Sequence, residues 1–559
     1  MYTNHYIRFP MGNIEKEYAM LHTCCAAKRY LVLPVVKAEA NSKILFYQIA
    51  ANGGRTLVYD LDVAYAPKNP AATPMFVDLG RFDGLTLAIE RYPAIDRVSA
   101  DLDNPLPYTP VFAPERDREC CYHTAHRPMV HFTTRYGWIN DPNGLTYADG
   151  VYHMFYQHNP AGLNWGNMHW GHAVSGDLIH WCEWGDALYP DAHGTMYSGS
   201  GLPDPADHLG VSDGQNTPLL FYYTAAANQS MLSRGAVTAQ YIAYSADGGR
   251  TLTKLPEPVI SGETDGNRDP KIIWCEEMGC YVCALYMTEH EYHIYKTADL
   301  TRFTFVQKVI LPDDTECPDL YPLTCGGERF WIFSGASDTY LVGKMTRDGF
   351  YPVQDAQYYR LGGGGSYAAQ TFSGIDDRRI KVAWGQMEAP DACFTSQMNF
   401  PTEVRLDCVD GKYRLATLPI AEIAQLRTDT RTWEKTASVS NPLIDYLNGG
   451  AYEITIRFGK DCAAMTVELY GLCLRILPEE NILELPGRVL PLSYNYSGRE
   501  VRLIIDTMSM EVFSDEGRIY TAVPCLPELQ KRQFTLAPVK PMQVCEVAVS
   551  ISPLGDIWE

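Results

Sequence analysis

The sequence has 559 residues, of which 46% are hydrophobic and 20% charged, and its formal net charge is −21. This balance is typical of a globular protein, and the length exceeds what one hydrophobic core supports, so two or three domains are expected. So acidic a surface repels phosphate backbones and anionic membranes, which disfavours nucleic-acid and membrane partners and suits a neutral ligand.

The N-terminal residues and the cysteines bear on location. The sequence does not open with a basic segment followed by a long apolar stretch, and no run approaches the roughly 20 apolar residues that cross a bilayer. The 16 cysteines show no framework spacing, and the adjacent pairs Cys24–Cys25 and Cys120–Cys121 are poor candidates for loop-closing disulfides. We therefore expect reduced thiols and a cytoplasmic protein, or a secreted one if a leader has been removed.

Short β-branched or aromatic runs bounded by Gly, Asp, Asn or Pro recur along the chain and predict an all-β protein. Residues 1–125 combine such runs with proline-rich punctuation, which predicts an N-terminal β-sandwich with a linker at 103–119. Residues 430–559 form a run of alternating strands that predicts a C-terminal β-sandwich.

Local turn and helix signals are few. The ADG sequence at 148–150 and the DEG sequence at 515–517 are typical of hairpin turns. The best helical pattern is AEIAQL at 421–426.

A loose repeat lies in the middle of the chain, between residues 126 and 425. Each copy has Ser or Thr followed two residues later by Asp and then by Leu or Gly, in a strand–turn–strand setting. The repeated aspartates are Asp177, Asp247, Asp299 and Asp348. These aspartates are about 50–70 residues apart. A period of that length with several strands per copy indicates propeller blades, although the same pattern also occurs as a common isolated turn.

Three acids precede the repeat at similar distances. Asp141 in WINDPNG, Asp269 in NRDPKI and Glu316 in TECPDLYPL lie 36, 30 and 32 residues before a repeated aspartate. Equivalent inner-strand positions of a propeller converge near its axis, so the three carboxylates are expected in one pocket. The alternative is that each acid only fixes a local turn.

Carboxylates facing one another in a pocket favour glycoside hydrolysis. One acid must be ionised to attack or stabilise an oxocarbenium-like centre, while another must be protonated to release the leaving oxygen. A retaining enzyme holds the pair about 5–5.5 Å apart and an inverting one about 6.5–9.5 Å. Spacing in the sequence does not decide between them.

Seven motifs in order resemble those of glycoside hydrolase family 32, which includes invertases, levanases and inulinases. The motifs are WINDPNG (138–144), FYQHNP (155–160), WGHAVS (170–175), YSGS (197–200), RDP (268–270), ECP (316–318) and YAAQTF (367–372). The segment 504–517 also resembles the family's C-terminal sandwich signature. Residues 1–125 more weakly resemble the accessory β-sandwich of some bacterial fructan hydrolases.

The resemblance implies a five-bladed β-propeller over residues 126–425 and a retaining mechanism. By motif, Asp141 would be the nucleophile, Glu316 the acid/base, and Asp269 the carboxylate that holds the ring hydroxyls. Residues expected to bind substrate are Asn140, Gln157, Trp165, Tyr197, Ser198, Arg268, Tyr367 and Trp384.

The implied activity is release of terminal β-D-fructofuranosyl units from sucrose, fructo-oligosaccharides or fructans through a covalent fructosyl-enzyme intermediate. A fructosyltransferase and a non-catalytic fructan-binding protein are the alternatives. We expect neither cofactor nor metal, and self-association through a β-sandwich is possible.

Two departures from the family pattern concern the rim of the pocket. Tyr197 replaces the usual Phe before the motif serine, and Gly365–Ser366–Tyr367 replaces an Asp–Phe/Tyr–Tyr element. These departures leave the chemistry intact and the leaving-group preference open.

Three other signals are set aside. Cys275, Cys280 and Cys283 have a spacing that can ligate an iron–sulfur cluster, but their surroundings predict a hairpin. The glycine run at 362–365 lacks the Lys and Ser/Thr of a phosphate-binding loop. Five histidines show no metal-ligand spacing and are expected to be hydrogen-bonded within an aromatic-rich blade: His153, His158, His169, His172 and His180.

Overall fold

The computed structural model describes residues 20–23, 28–115, 122, 124, 126–262, 264, 266–359 and 365–558. The cysteine pairs at 24–25 and 120–121 and most of the glycine run at 362–365 lie outside these residues. The regular secondary structure of the described part is almost entirely strand, which confirms the all-β class. Its helical segments are the 3-10 turns Gly80–Phe82, Ala421–Gln425 and Asp515–Gly517.

The N-terminal strands form a two-sheet sandwich. They are β1 (Met20–Thr23), β2 (Tyr30–Val35), β3 (Ser42–Ile49), β4 (Arg55–Val63), β5 (Thr73–Asp78), β6 (Thr86–Asp96), β7 (Ser99–Ala100) and β8 (Val111–Ala113). One sheet has the order β1-β6-β3-β4 with β7 beside β6, and the other has the order β5-β2-β8. Leu31, Ile44 and Leu61 are among the fully buried residues between them. The predicted linker at 103–119 is therefore wrong in part, because its residues 111–113 pair with β2.

The middle of the chain folds into a five-bladed propeller. Blade 1 contains β9 (Gly137–Ala148), β10 (Val151–Asn159), β11 (His169–Ser175) and β12 (Trp181–Leu188). Blade 2 contains β13 (Thr195–Pro203), β14 (Leu219–Ala226), β15 (Ala239–Ser245) and β16 (Thr253–Lys254). Blade 3 contains β17 (Arg268–Cys275), β18 (Cys280–Thr288), β19 (Glu291–Thr297) and β20 (Thr304–Ile310).

Blade 4 contains β21 (Asp319–Cys325), β22 (Glu328–Ser334), β23 (Thr339–Thr346), β24 (Gly349–Pro352) and β25 (Gln357–Tyr358). Blade 5 contains β26 (Tyr367–Thr371), β27 (Ile380–Gly385), β29 (Gln397–Met398), β30 (Thr402–Val409) and β31 (Lys412–Pro419), and the connection from β27 to β29 contains β28 (Phe394–Thr395). The first strand of each blade is innermost, and the inner strands contact one another in sequence, with β26 returning to β9. The short β28 pairs with β9 in parallel and joins blade 5 to blade 1.

The repeated aspartates mark the turn between the third and fourth strands of each blade. Asp177 and Asp247 accept hydrogen bonds from the hydroxyls of Ser175 (3.0 Å) and Ser245 (2.7 Å), two residues before them. Asp299 and Asp348 occupy the same turn in blades 3 and 4. Because each copy serves the same turn of a blade, the propeller interpretation of the repeat is confirmed.

Blade 5 carries a fifth turn of this kind, which the repeat pattern did not reveal. Asp410 and Gly411 join β30 to β31 with positive φ values of 50° and 75°. The residue two before Asp410 is Cys408 rather than Ser or Thr, so the turn lacks the hydroxyl that hydrogen-bonds to the aspartate in blades 1, 2 and 3.

The C-terminal strands form a second sandwich of two six-stranded sheets, with orders β32-β43-β34-β39-β40-β41 and β33-β42-β35-β36-β37-β38. The strands are β32 (Arg431–Ser438), β33 (Leu443–Tyr446), β34 (Tyr452–Phe458), β35 (Met465–Leu469), β36 (Leu472–Leu477), β37 (Ile482–Leu485), β38 (Arg488–Pro491), β39 (Glu500–Ile505), β40 (Ser509–Ser514), β41 (Ile519–Pro524), β42 (Gln533–Pro538) and β43 (Val544–Pro553).

The two predicted turns form, whereas the predicted helix is only a short turn. Residues 148–150 join β9 to β10, with positive φ at Asp149 (49°) and Gly150 (82°), and residues 515–517 join β40 to β41. Both turn predictions are confirmed. The segment 421–426 forms only a five-residue 3-10 turn, in which Ile423 is the buried residue. Leu426, directly after the turn, is buried in the same core, so both apolar positions of the pattern are used although no longer helix forms.

A buried histidine joins the propeller to the C-terminal sandwich. His131 Nδ1 lies 2.8 Å from Asp506 Oδ2, and His131 Nε2 lies 2.7 Å from Glu511 Oε1. All three side chains are fully buried. Since each ring nitrogen faces a carboxylate, both must donate, and the imidazole carries a positive charge. These two carboxylates raise the pKa of His131 to about 9 despite the opposing effect of burial.

Across the described residues, no helix combines the length and the apolarity needed to traverse a bilayer.

Candidate active site

A cavity of about 460 Å³ opens where the inner strands of the propeller begin. All five blades contribute to its wall, through Asp141 in β9, Ser198 in β13, Asp269 in β17, Glu316 just before β21 and Tyr367 in β26. The other sequence-predicted residues line it too, namely Asn140, Gln157, Trp165, Tyr197, Arg268 and Trp384. The structure therefore brings all eleven together.

The backbone is irregular where the inner strands pass the cavity. The pairing register breaks between Tyr197 and Gly199, between Arg268 and Lys271, and between Tyr367 and Gln370. Asp269 and Glu316 have φ values of 65° and 56°, a left-handed conformation that costs energy for residues other than glycine. Bulges and strained residues of this kind re-aim side chains, here toward one cavity.

Asp141 accepts a hydrogen bond on each carboxylate oxygen. Ser198 Oγ donates to Oδ2 at 2.6 Å, and Asn140 Nδ2 donates to Oδ1 at 3.0 Å. Burial raises the pKa of Asp141, and the negative charge of Glu316 adds to that rise, whereas the two hydrogen bonds oppose it. Both donors orient the carboxylate and stabilise its ionised form.

Asp269 is the most deeply buried of the three acids. Its Oδ2 accepts the backbone N–H of Cys317 at 3.0 Å, and its own N–H donates to Thr224 Oγ1 at 2.9 Å. Burial raises the pKa of Asp269 to about 7, although the neighbouring Arg268 guanidinium lowers it. The free oxygen of this fixed carboxylate is available to a ligand hydroxyl.

Glu316 is held by two donors from neighbouring blades. Arg268 Nη2 donates to Oε1 at 2.7 Å, and the Tyr367 hydroxyl donates to Oε2 at 2.9 Å. The side chain keeps 34% of its surface exposed. Its carboxyl group is thus oriented by protein and still open to a ligand or to water.

Cys317 joins the three acids and was not singled out from the sequence. It directly follows Glu316, and its thiol lies 3.5 Å from Oδ2 of both Asp141 and Asp269. Burial and the three surrounding carboxylates hold the pKa of the thiol well above its usual value. Its place within the ECP motif was the only sequence signal for this position.

Aromatic rings form the apolar wall of the cavity. Trp384 packs edge to face against Trp138 and Tyr367, with ring centroids 5.7 and 6.1 Å apart. The Trp384 indole N–H is buried without a hydrogen-bond partner. On the opposite side, the rings of Trp165 and Tyr197 meet edge to face at 5.9 Å. The cavity thus combines aromatic rings with a few fixed polar groups, as pockets for small organic ligands do.

The two departures at the rim have different structural consequences. The Tyr197 side chain lines the cavity, and burial raises the pKa of its hydroxyl to about 12. Gly365 instead packs against the C-terminal sandwich. It has a φ of 78°, and a Cβ on it would lie 2.0 Å from the carbonyl oxygen of Ala522 in β41. No larger residue fits there.

The signals set aside in the sequence have ordinary structural explanations. Cys275 and Cys280 are cross-strand partners in the hairpin of β17 and β18. His158 pairs with Asp186 at 2.5 Å, and the His153 and His172 rings stack 5.4 Å apart. Within the ranges that the structure covers, no group of three His, Cys, Asp or Glu side chains has the geometry of a metal site.

The architecture and the cavity together define a five-bladed propeller with a carboxylate-lined site, and known proteins share this fold. The crystal structure of exo-inulinase from Aspergillus awamori covers 78% of this chain and 100% of its own, with a TM-score of 0.68 and 23% sequence identity. A profile described as "Glycosyl hydrolases family 32 N-terminal domain" matches residues 131–419, about half of the chain. The chain belongs to glycoside hydrolase family 32.

Curated relatives are similar over part of their length. The levanase of Bacillus subtilis (strain 168) is 32% identical over 384 residues, which are 63% of this chain and 55% of the levanase. The invertase of Schizosaccharomyces pombe is 32% identical over 311 residues, 50% of this chain and 52% of the invertase. The chain therefore spans about half the length of these relatives.

Proposed function

We propose that this protein is a retaining β-fructosidase that releases terminal β-D-fructofuranosyl units from sucrose, fructo-oligosaccharides or fructans. The observation that carries the proposal is the convergence of Asp141, Asp269 and Glu316 from three blades into one cavity, each with different hydrogen-bond partners. Membership of a family with relatives named levanase and invertase supports fructose as the sugar that is recognised.

Asp141 is proposed as the nucleophile. Its oxygen attacks C2 of the terminal fructofuranosyl unit, the bond from C2 to the glycosidic oxygen breaks, and its electrons pass to that oxygen. Glu316 gives the departing oxygen a proton, and a fructosyl ester on Asp141 remains. The donors Ser198 and Asn140 keep the Asp141 carboxylate oriented for attack.

Glu316 acts as the base in the second step. Its carboxylate takes a proton from water, the water oxygen attacks C2, and the ester bond to Asp141 breaks. Fructose leaves, and both acids return to their starting states. The exposed third of the Glu316 side chain gives water access to it.

Asp269 and Trp384 bind the fructosyl unit without taking part in bond cleavage. The Asp269 carboxylate accepts ring hydroxyls, and these charge-assisted hydrogen bonds strengthen as positive charge develops at C2. Arg268 is the only cation among the residues lining the described cavity, so three carboxyl groups share one positive charge. Burial and the neighbouring negative charges raise the pKa values of Asp141 and Asp269.

The test is Asp141→Asn and Glu316→Gln, with fructose release measured on sucrose, 1-kestose, inulin and levan. Each variant is expected to lose on the order of 10⁴- to 10⁶-fold in kcat. On p-nitrophenyl β-D-fructofuranoside, whose leaving group departs without protonation, azide should accelerate turnover by Glu316→Ala and give fructosyl azide of retained configuration, whereas any azide product of Asp141→Ala should have the inverted configuration. Glu276→Gln, on an exposed side chain of blade 3, is the control and should behave as wild type.

The product pattern distinguishes hydrolysis from its alternatives. Fructose release from either acid variant at the wild-type rate would contradict the proposed roles. Longer oligosaccharides accumulating from concentrated sucrose would indicate a fructosyltransferase. Sugar binding without turnover by the wild type would indicate a non-catalytic fructan-binding protein.

A further inference from the structure

One side chain of the N-terminal sandwich reaches the rim of the propeller cavity. Arg97 lies in the turn between β6 and β7, with its guanidinium carbon 4.5 Å from the centre of the Trp165 ring. Its Nη1 donates a 2.5 Å hydrogen bond to Oε1 of Gln229. Both Trp165 and Gln229 line the cavity, on blades 1 and 2.

The turn that carries Arg97 is fixed in place. Asp96 Oδ1 accepts the N–H of Val98 at 2.9 Å and the hydroxyl of Ser99 at 2.5 Å. The carbonyl of Arg97 accepts a 2.9 Å hydrogen bond from Lys43 Nζ, and the Lys43 side chain is fully buried. The sandwich therefore fixes the backbone of Arg97, and Gln229 and Trp165 hold its guanidinium.

The loop that carries Gln229 is held by the same sandwich. Asp60, in β4, accepts the backbone N–H of Met231 at 2.9 Å and that of Leu232 at 3.4 Å. Asp60 also pairs with Lys43, at 3.5 Å. One buried lysine thus connects the Arg97 turn to the loop that Arg97 meets across the cavity rim.

The loop that carries Trp165 has its own attachment. Asn167 Oδ1 accepts the N–H of Asp62 at 2.8 Å, and Asn167 Nδ2 donates to the Asp62 carbonyl at 2.8 Å. Asn164 Nδ2 donates to the carbonyl of Ala38 at 2.8 Å. Both rim loops are therefore organised by strands outside the propeller.

A second cavity, of about 340 Å³, lies between the sandwich and blade 1. Ala38, Asp62, Ile95 and Arg97 line it from the sandwich, and residues 162–167 line it from the propeller. Trp165 lines both cavities, so the two cavities adjoin at the indole. An aromatic ring flanked by a guanidinium and an amide presents the apolar surface and the hydrogen-bonding groups that a saccharide needs.

We propose that Arg97, Gln229 and Trp165 bind the leaving-group saccharide, and that the second cavity receives its further sugar units. The inference rests on the proposed function, since the fructosyl unit occupies the carboxylate end of the first cavity. It assigns to the N-terminal sandwich a direct part in choosing between short and longer saccharides.

The test compares Arg97→Ala with wild type on substrates that share the fructosyl unit and differ in the leaving group. These are methyl β-D-fructofuranoside, sucrose, 1-kestose and nystose. A lost charged hydrogen bond predicts a fall of about 10-fold or more in kcat/KM for 1-kestose and nystose, clearly larger than the fall for the methyl glycoside. Arg97→Lys, which keeps the charge, should recover part of the loss.

Arg250→Ala is the matched control, because Arg250 lies 5.0 Å over the exposed Trp184 ring away from the cavity carboxylates. Arg250→Ala should leave the ratio of kcat/KM for 1-kestose to kcat/KM for the methyl glycoside as in wild type. An equal loss of kcat/KM on all four substrates after Arg97→Ala would overturn the proposal. It would show that Arg97 only supports the structure of the rim.

Binding measurements separate this proposal from the proposed function. In an Asp141→Asn background, calorimetry should show that Arg97→Ala weakens 1-kestose binding about 10-fold and fructose binding less. Unchanged 1-kestose affinity would overturn the role of Arg97. Absence of turnover by the otherwise unaltered protein, with 1-kestose affinity still dependent on Arg97, would instead contradict only the hydrolytic function.

Discussion

The backbone N–H of Cys317 donates to Oδ2 of Asp269 at 3.0 Å, and the Cys317 thiol lies 3.5 Å from the same oxygen. The residue after the proposed acid/base is thereby attached to the carboxylate proposed to hold the sugar. Because Cys317 connects Glu316 with Asp269, a displacement of either acid is transmitted to the other. The two acids are therefore held rigidly relative to each other.

The first prediction concerns the reactivity of this thiol. Burial and the nearby carboxylates raise the pKa of Cys317, so it stays a neutral thiol and a poor nucleophile. Iodoacetamide at pH 8 should modify the exposed Cys182 and Cys408 and leave Cys317 unmodified, as read by peptide mass spectrometry. In urea all three should react. Rapid alkylation of Cys317 in the folded protein would contradict the environment described for it.

The second prediction concerns the stability cost of Asp269. Its pKa is raised from 3.8 to about 7, so the folded protein binds this proton more tightly than the unfolded chain does. The favourable contribution of the protonated Asp269 carboxyl to the free energy of unfolding is complete below pH 3.8. It is lost as the pH rises through 7. Asp269→Asn should therefore gain stability over wild type between pH 4 and pH 8, by roughly 1–3 kcal/mol in urea unfolding.

Asp299, in the same blade, provides a control of opposite sign. Backbone hydrogen bonds from Arg302 and Thr301 lower its pKa to about 2. The contribution of the ionised Asp299 carboxylate to the free energy of unfolding is present above pH 3.8 and is lost as the pH falls through 2. Asp299→Asn should thus reduce stability at pH 8, whereas Asp269→Asn increases it. A gain for Asp269→Asn that does not vary with pH would show that ionisation is not the cause.

The third prediction concerns His131, whose charge links the propeller to the C-terminal sandwich. Its pKa is raised from 6.5 to about 9, so its contribution to stability is complete below pH 6.5 and disappears as the pH rises through 9. Wild type should lose about 3 kcal/mol of unfolding free energy across this interval through this group. His131→Gln should abolish that part of the pH dependence. His180→Gln, on an exposed histidine, should retain it.

The fourth prediction separates backbone strain from steric overlap at Gly365. Gly365 and Gly84 have similar φ values of 78° and 77°, but a Cβ on Gly84 would meet nothing within 4 Å. Gly84→Ala should cost about 1–2 kcal/mol, the price of a left-handed residue. Gly365→Ala should cost about 1–3 kcal/mol more, because its Cβ overlaps the Ala522 carbonyl. Equal losses in thermal unfolding would contradict the close packing of blade 5 on β41.

The strand pattern and the repeat were sufficient to predict the class and the propeller, because a blade is a local unit with its own turn. The same reasoning missed the blade 5 turn, where Cys408 replaces the Ser or Thr of the other copies. It also placed β8 in a linker, since three residues carry too little periodicity to indicate a strand. The domain boundaries at 125, 425 and 430 stay predictions.

The convergence of the three acids could be predicted from their similar spacing to the repeated aspartates and from the family motifs, and all three line one cavity. Arg97 could not, because its sequence is that of an ordinary solvated hairpin turn. Its partner Gln229 lies more than a hundred residues away along the chain, and the two meet only through the packing of the sandwich on blades 1 and 2. Contacts of this kind leave no local pattern.

The turn at residues 96–99 meets the cavity through one side chain and lies far along the chain from the carboxylates. Hairpin tips accept exchanges and short insertions that the inner strands of a propeller do not. Mutations can therefore change the length or the charge of the turn at residues 96–99 without changing the three carboxylates. With the proposed roles, the choice of leaving group and the cleavage of the glycosidic bond are encoded in separable stretches of one gene.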